Sequence, residues 1–166
     1  MAHPDYPDFN DQPHLVARVA ATQTTVNAMK GKPFKWGKAD CATLAAFHLK
    51  QMGHAPGAGR FGYYQSPVSA WKALQKLGFA TMADVLDDLK LPRIAPAAAL
   101  PGDILGFGHP DQPLTVALSI VIGNGRALGF MDNGDGHRCH IYPPIMAAEG
   151  VEYMSWRAAP LPREGP

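Results

Sequence analysis

Apolar positions recur at helical spacing in the first half of the chain and in short β-like runs in the second. Leu15, Val19, Val26 and Met29 share a helical period, with Pro13 suited to a first turn, Asp11 or Gln12 near the cap, and Gly31 as the stop. Lys32 to Asp40 reads as a loop. A second helical run covers Cys41–Met52, with Leu44, Ala45, Leu49 and Met52 on one side, Asp40 as N-cap and Gly53 as the stop. Residues 53–65 form a glycine-rich loop. Ser66 and Pro67 open a third helix carrying Trp71, Leu74 and Leu77 to Gly78. Thr81 and Asp84 have capping-box spacing for a short helix ending near Lys90.

Residues 92–102 (PRIAPAAALPG) read as a linker, and the pattern then changes. Short β-like runs follow at Ile104–Phe107, Thr115–Ile122, Arg126–Phe130, Arg138–Tyr142 and Ser155–Ala158. Asn124-Gly125 between two of them is a hairpin signal, because both residues tolerate the left-handed backbone that a tight turn needs. Helices first and antiparallel strands afterwards predict an α+β domain. The expected boundaries are an arm over 1–12, one domain over 13–160, and a tail over 161–166.

Composition narrows the function classes. Apolar residues make up 46% of the 166 positions, enough for one core without disulfides or metal. Charged residues are 17%, below the roughly 25% of an average domain, and the formal net charge is +1. That balance gives no electrostatic case for nucleic acid or an anionic membrane as partner. No apolar run reaches the roughly 18 residues a spanning helix needs. The polar start MAHPDYPDFNDQP lacks the basic and apolar blocks of a signal peptide, so synthesis in a cytoplasm is expected. Both cysteines, Cys41 and Cys139, read as free thiols.

Cys41 is the first candidate for chemistry. A thiol at a helix N-terminus sits beside unpaired backbone N–H groups and the positive end of the helix dipole, both of which favour the nucleophilic thiolate. The bland alternative is a small buried apolar side chain. The segment Pro33-Phe-Lys-Trp-Gly-Lys-Ala-Asp-Cys41 resembles the nucleophile motif of the NlpC-like branch of the papain-like cysteine peptidases, in which W-G-x-x-D-C leads into the central helix. Leu100-Pro-Gly-Asp-Ile-Leu105 is similar to that family's P-G-D strand opening, and Ile122-Gly-Asn-Gly-Arg126 to its G-N-G hairpin. The resemblance implies a papain-like fold with Cys41 as nucleophile on a central helix, and peptidoglycan peptide bonds as the substrate class.

The resemblance also implies a histidine six positions before Gly123, which here is Ala117. Alanine cannot accept a proton, so the family's pair of cysteine and base is broken at that position. Seven histidines offer substitutes. His48 lies seven residues along the helix from Cys41, roughly 10 Å and too far for proton transfer. His54 lies beyond the end of that helix, and His3 and His14 are near the N-terminus, outside the motif region. His109 or His137 is the candidate replacement base. His137-Arg-Cys139-His140 lacks the four spaced ligands of a structural metal site, so no metal and no cofactor are expected. Asp132-Asn-Gly-Asp-Gly136 lacks the closing Glu of a calcium loop and reads as a tight turn. Tyr63, Tyr64 and Trp71 read as packing residues.

An NlpC-like chain with this cysteine but without the histidine resembles a phage tail-associated group. The residues in common, in order, are Trp36, Gly37, Asp40, Cys41, Gly102, Asp103, Ala117, Leu118, Gly123, Trp156 and Arg157. That resemblance implies a virion tail-tip structural protein of a phage or gene-transfer particle. It would be built on a degenerate peptidase scaffold, with hub and baseplate components as partners and peptidoglycan as a further contact. The alternative is an active cysteine hydrolase, a peptidoglycan endopeptidase or amidase, using Cys41 with His109 or His137. A third reading, a module that holds peptidoglycan stems without cutting them, requires an open groove beside Cys41 and Trp36.

Overall fold

The computed structural model describes residues 12–108, 116–144 and 150–161. Among these residues four helices are followed by a six-stranded sheet. The helices are α1 (Gln12–Met29), α2 (Cys41–Gln51), α3 (Pro67–Lys76) and α4 (Met82–Asp88). The strands are β1 (Arg93–Ile94), β2 (Ile104–Gly108), β3 (Ala117–Gly123), β4 (Arg126–Asp132), β5 (His137–Tyr142) and β6 (Glu152–Trp156). The sheet order is β1-β6-β2-β3-β4-β5 and every pairing is antiparallel, so the α+β expectation holds. No helix among the described residues is long and apolar enough to cross a membrane.

The caps explain where the helices begin. Asp40 and Ser66 each form a capping box with the residue three positions on, covering orphan N–H groups of the first turn, and at the start of α4 Asp84 accepts from the Thr81 N–H at 3.1 Å. The hairpin between β3 and β4 turns through Asn124 (φ 53°) and Gly125 (φ 68°), the left-handed pair that matches strand twist. Buried Leu44, Ala45, Leu49 and Met52 of α2 meet Ile104, Leu118, Ile120 and Leu128 of the sheet, with Trp156 filling the same core.

Three expectations are corrected. Leu15 and Val19 of α1 are half-exposed, and the buried face is instead Arg18, Ala21, Thr22, Thr25 and Met29. That face is largely polar because its groups have partners elsewhere in the fold. Residues 92–102 are not merely a linker: Arg93–Ile94 pairs with β6, and Pro96–Ala98 makes a 3-10 turn. The last strand is Glu152–Trp156 rather than 155–158.

Candidate functional site

Cys41 opens α2 and packs between that helix's first turn and the start of β3. Asp40 is almost fully buried and organises the approach to it. One carboxylate oxygen accepts from the Thr43 N–H at 2.8 Å. The other accepts from the Gly37 N–H at 2.8 Å and the Tyr64 hydroxyl at 2.7 Å. Gly37 has φ +74°, and a Cβ there would come within 2.7 Å of the Tyr64 carbonyl oxygen, so glycine is required twice over. The Trp-Gly-x-x-Asp-Cys sequence is therefore a loop folded back onto its own helix cap. Tyr64, whose place near a helix start points to packing, is instead a hydrogen-bond donor to the Asp40 carboxylate. Its link to Asp40 spans 24 positions, and no local pattern signals that.

The backbone N–H groups of Leu118, Ala42 and Cys41 itself lie beside the sulfur of Cys41. These favour the thiolate, as expected of a helix start. Cys41 as a residue is only partly buried, yet the enclosure of its sulfur outweighs them and the Asp40 carboxylate works in the same direction, so the thiol is pushed up to about 11. Its neighbour Tyr64 is also pushed upward, chiefly by burial and by its bond to Asp40. The Leu118 contact puts Ala117, the first residue of β3, one position from the backbone group that touches the sulfur. His109 lies outside the described residues. His137 is exposed at the start of β5, its ring stacked on Phe34 at 4.4 Å and 8°. No described imidazole hydrogen-bonds Cys41.

His48 is fully buried, with Nε2 at 2.8 Å from the Gly102 carbonyl and Nδ1 at 2.8 Å from the Thr25 hydroxyl. A carbonyl can only accept, so Nε2 carries the proton and Nδ1 of the neutral ring is an acceptor, for which the single Thr25 hydroxyl proton is shared with the Ala21 carbonyl at 3.0 Å. Burial lowers this histidine to about 4. It braces α2 against α1 and the Pro-Gly-Asp turn, and its proton is committed.

Asp103 has no exposed surface and holds four donors. Oδ1 accepts from Arg18 at 2.8 Å and from the Ala158 N–H at 3.0 Å. Oδ2 accepts from the Leu100 N–H at 2.8 Å and from Arg157 at 3.1 Å. Gly102 before it has φ +92°, and a Cβ there would meet Met52 and Thr22 within 3 Å. Trp156 is fully buried, donates to Asp87 at 2.9 Å and lies under Arg93. Gly102, Asp103, Trp156 and Arg157 are thus structural ties between helices and sheet, remote in role from the thiol.

Both cysteines are free thiols; Cys139 is buried, which pushes it up to about 12. His140 contacts Asp135, and Asp132 accepts from the Gly134 N–H in the expected turn. Among the described residues no group of His, Cys, Asp and Glu converges as a metal site. An open groove of about 390 Å³ lies on the loop leading to Cys41, lined by Phe34, Lys35, Trp36, Lys38, Tyr63 and Gln65. Cys41 is not on its wall. Tyr63, expected to pack, is 78% exposed there.

The chain belongs to the family described as a domain of unknown function (DUF6950), whose model matches residues 16–148. No curated protein matches it. Among solved structures it is similar to NlpC1 from Trichomonas vaginalis, with 17% identity and a TM-score of 0.52 over 84% of this chain and 43% of that one. NlpC2 from the same organism gives 14% identity and a TM-score of 0.51, over 85% of this chain and 47% of that one. The chain therefore spans less than half the length of either, and what it has in common with them is an NlpC-like fold.

Proposed function

We propose that this protein is a degenerate NlpC-like scaffold that serves as a structural component of a phage or gene-transfer-particle tail tip. The observation that carries the degenerate reading is the state of Cys41. A cysteine nucleophile needs a base within hydrogen-bond reach and a lowered thiol pKa. Here the thiol is pushed up to about 11 by burial and sits beside a carboxylate, with no described imidazole bonded to it. In this reading Ala117 occupies the place of the missing histidine, and the Leu118 N–H against the sulfur supports that register. Asp40, Gly37 and Trp36 then persist because they shape the loop and cap α2. The tail placement follows from the resemblance in motif order described above, and hub or baseplate proteins are the partners it implies.

The deciding experiment is the pH dependence of Cys41 alkylation by iodoacetamide in a Cys139→Ser background. The scaffold reading expects slow reaction at neutral pH and a rate still rising above the roughly pH 8.5 at which a free thiol titrates. Fast reaction near pH 6 would favour the cysteine hydrolase instead, and loss of that reactivity in His109→Ala or His137→Ala would identify its base. Mass spectrometry of purified particles tests the tail placement: absence of the chain from intact tails removes it.

A further inference from the structure

The groove beside Trp36 lies in a strip of unusual charge. Residues 12–39 contain Arg18, Lys30, Lys32, Lys35 and Lys38 and no acidic residue, so half of the chain's eight lysines fall within nine positions. All four of these lysines are exposed, and none makes an ion pair among the described residues. Arg18, Arg60, Arg93 and Arg157, by contrast, are each matched to an aspartate. Between the lysines stand Phe34 and Trp36, edge to face at 4.9 Å, with Tyr63 facing them across the groove. Asp40 is buried under Tyr64 and Gly37, and the exposed Asp132 and Asp135 are held on the β4–β5 turn, where they accept from the Gly134 N–H and contact His140.

The complement of this surface is written in the same chain. The segment Asp5-Tyr-Pro-Asp-Phe-Asn-Asp11 carries three carboxylates and two aromatic rings and no basic residue. Alternating carboxylates and rings match alternating ammonium groups and aromatic faces, the charge complementarity that selects a partner and its register. Reach decides which copy supplies the segment. The 18 residues of α1 put its ends about 27 Å apart. The helices α1 and α2 run antiparallel: His48 meets Thr25, while Met52 at the far end of α2 comes beside Thr22 and Arg18 at Gly102. Cys41 and the groove loop therefore lie at the Met29 end. Phe9 is three residues from Gln12 and Asp8 four, so even fully extended they stay within roughly 11–14 Å of the opposite end.

We infer that the groove formed by Phe34, Lys35, Trp36, Lys38 and Tyr63 binds the acidic N-terminal segment of a second copy of this chain. The contact is heterologous, arm to groove, and does not depend on whether Cys41 reacts.

Charge reversal tests it on the full chain by sedimentation. The wild type should self-associate with rising concentration, and weaken as salt is raised to about 0.5 M, where the screening length falls to roughly 4 Å. Asp5→Lys/Asp8→Lys/Asp11→Lys and Lys35→Glu/Lys38→Glu should each be monomeric with unchanged thermal melts; Lys35 and Lys38 are exposed, so their reversal removes no core contact. Mixing the two variants should restore association, because each arm then faces a groove of opposite sign. A fluorescein-labelled peptide of residues 1–12 should bind the wild type roughly tenfold or more tightly than the Lys35→Glu/Lys38→Glu variant, the scale of like-charge repulsion at a contact. A wild type that is monomeric at every concentration overturns the proposal. So does association that ignores either reversal or is not rescued by mixing. A labelled oligothymidine that binds the lysines while the chain stays monomeric assigns the patch to nucleic acid and overturns it equally.

Discussion

Single residues in this chain separate into those that shape the surroundings of the thiol and those that tie the layers together, and Asp103 shows the second role most sharply. Its carboxylate is wholly buried and paired with the buried Arg18, and also with the partly exposed Arg157. Removing one partner of a buried ion pair leaves the other charge uncompensated, which typically costs about 3–5 kcal/mol. Asp103→Asn is nearly isosteric, so the loss should come from charge and not from volume. Urea melts should show a midpoint far below wild type; a shift smaller than about 1 kcal/mol, the range of an exposed pair, would mean that Arg18 finds another partner. The Asp in Pro-Gly-Asp was visible in the sequence, but its four donors were not. Arg18 stands 85 positions away, on a helix face whose apolar spacing pointed to Leu15 and Val19 instead. A buried polar face is invisible to hydrophobic periodicity, since the partners that make burial tolerable come from other parts of the chain. Asp40 was half legible: its cap on α2 follows from position, whereas its hold on Tyr64 does not.

At the level of elements, local signals served best where an element is set by its own ends. The starts of α2, α3 and α4 and the β3–β4 turn follow from Asp40, Ser66, Thr81 and Asn124-Gly125. β1 was read as linker because two residues have no period; it is a strand only because β6 offers it an edge. β2 carries a different constraint. Gly106 lies in the middle of the strand with an ordinary backbone, and a Cβ there would meet the Trp156 ring at 2.7 and 3.1 Å. Trp156 is fixed by Asp87 and Arg93, so the ring cannot yield cheaply. Gly106→Ala should therefore destabilise by about 1–3 kcal/mol, as overpacking of a core does. Gly59→Ala, where a methyl group meets open space, is the control and should leave the melt unchanged. Equal melts for the two variants would show that the strand can shift away from the ring.

For the molecule as a whole, pH reads out the brace between α1, α2 and the Pro-Gly-Asp turn. His48 titrates near 6.5 when unfolded and near 4 when folded, because burial disfavours its charged form. Between those values the unfolded chain binds the extra proton and the folded chain does not. Stability from this group is therefore intact above about pH 6.5 and falls as the pH drops toward 4, by up to roughly 3 kcal/mol. His48→Gln, which can still donate to Gly102, should flatten that part of the stability curve. Identical slopes in wild type and variant between pH 6.5 and 4 would place the sensitivity elsewhere.

The strand order has a consequence for how the chain comes to be folded. β6 is the last of the described strands in sequence, yet it lies between β1 and β2 and covers the full length of β2. During synthesis, β2 through β5 can assemble as a meander while the flank of β2 stays open until residue 156 has left the ribosome. An open strand edge is a template for pairing with other chains. A stalled or prematurely terminated product therefore exposes that edge, and lacks Arg157 and the Ala158 N–H that close over Asp103. Closure of the sheet thus waits on β6, and a copy that stops before residue 156 keeps the β2 edge open to pairing with other chains.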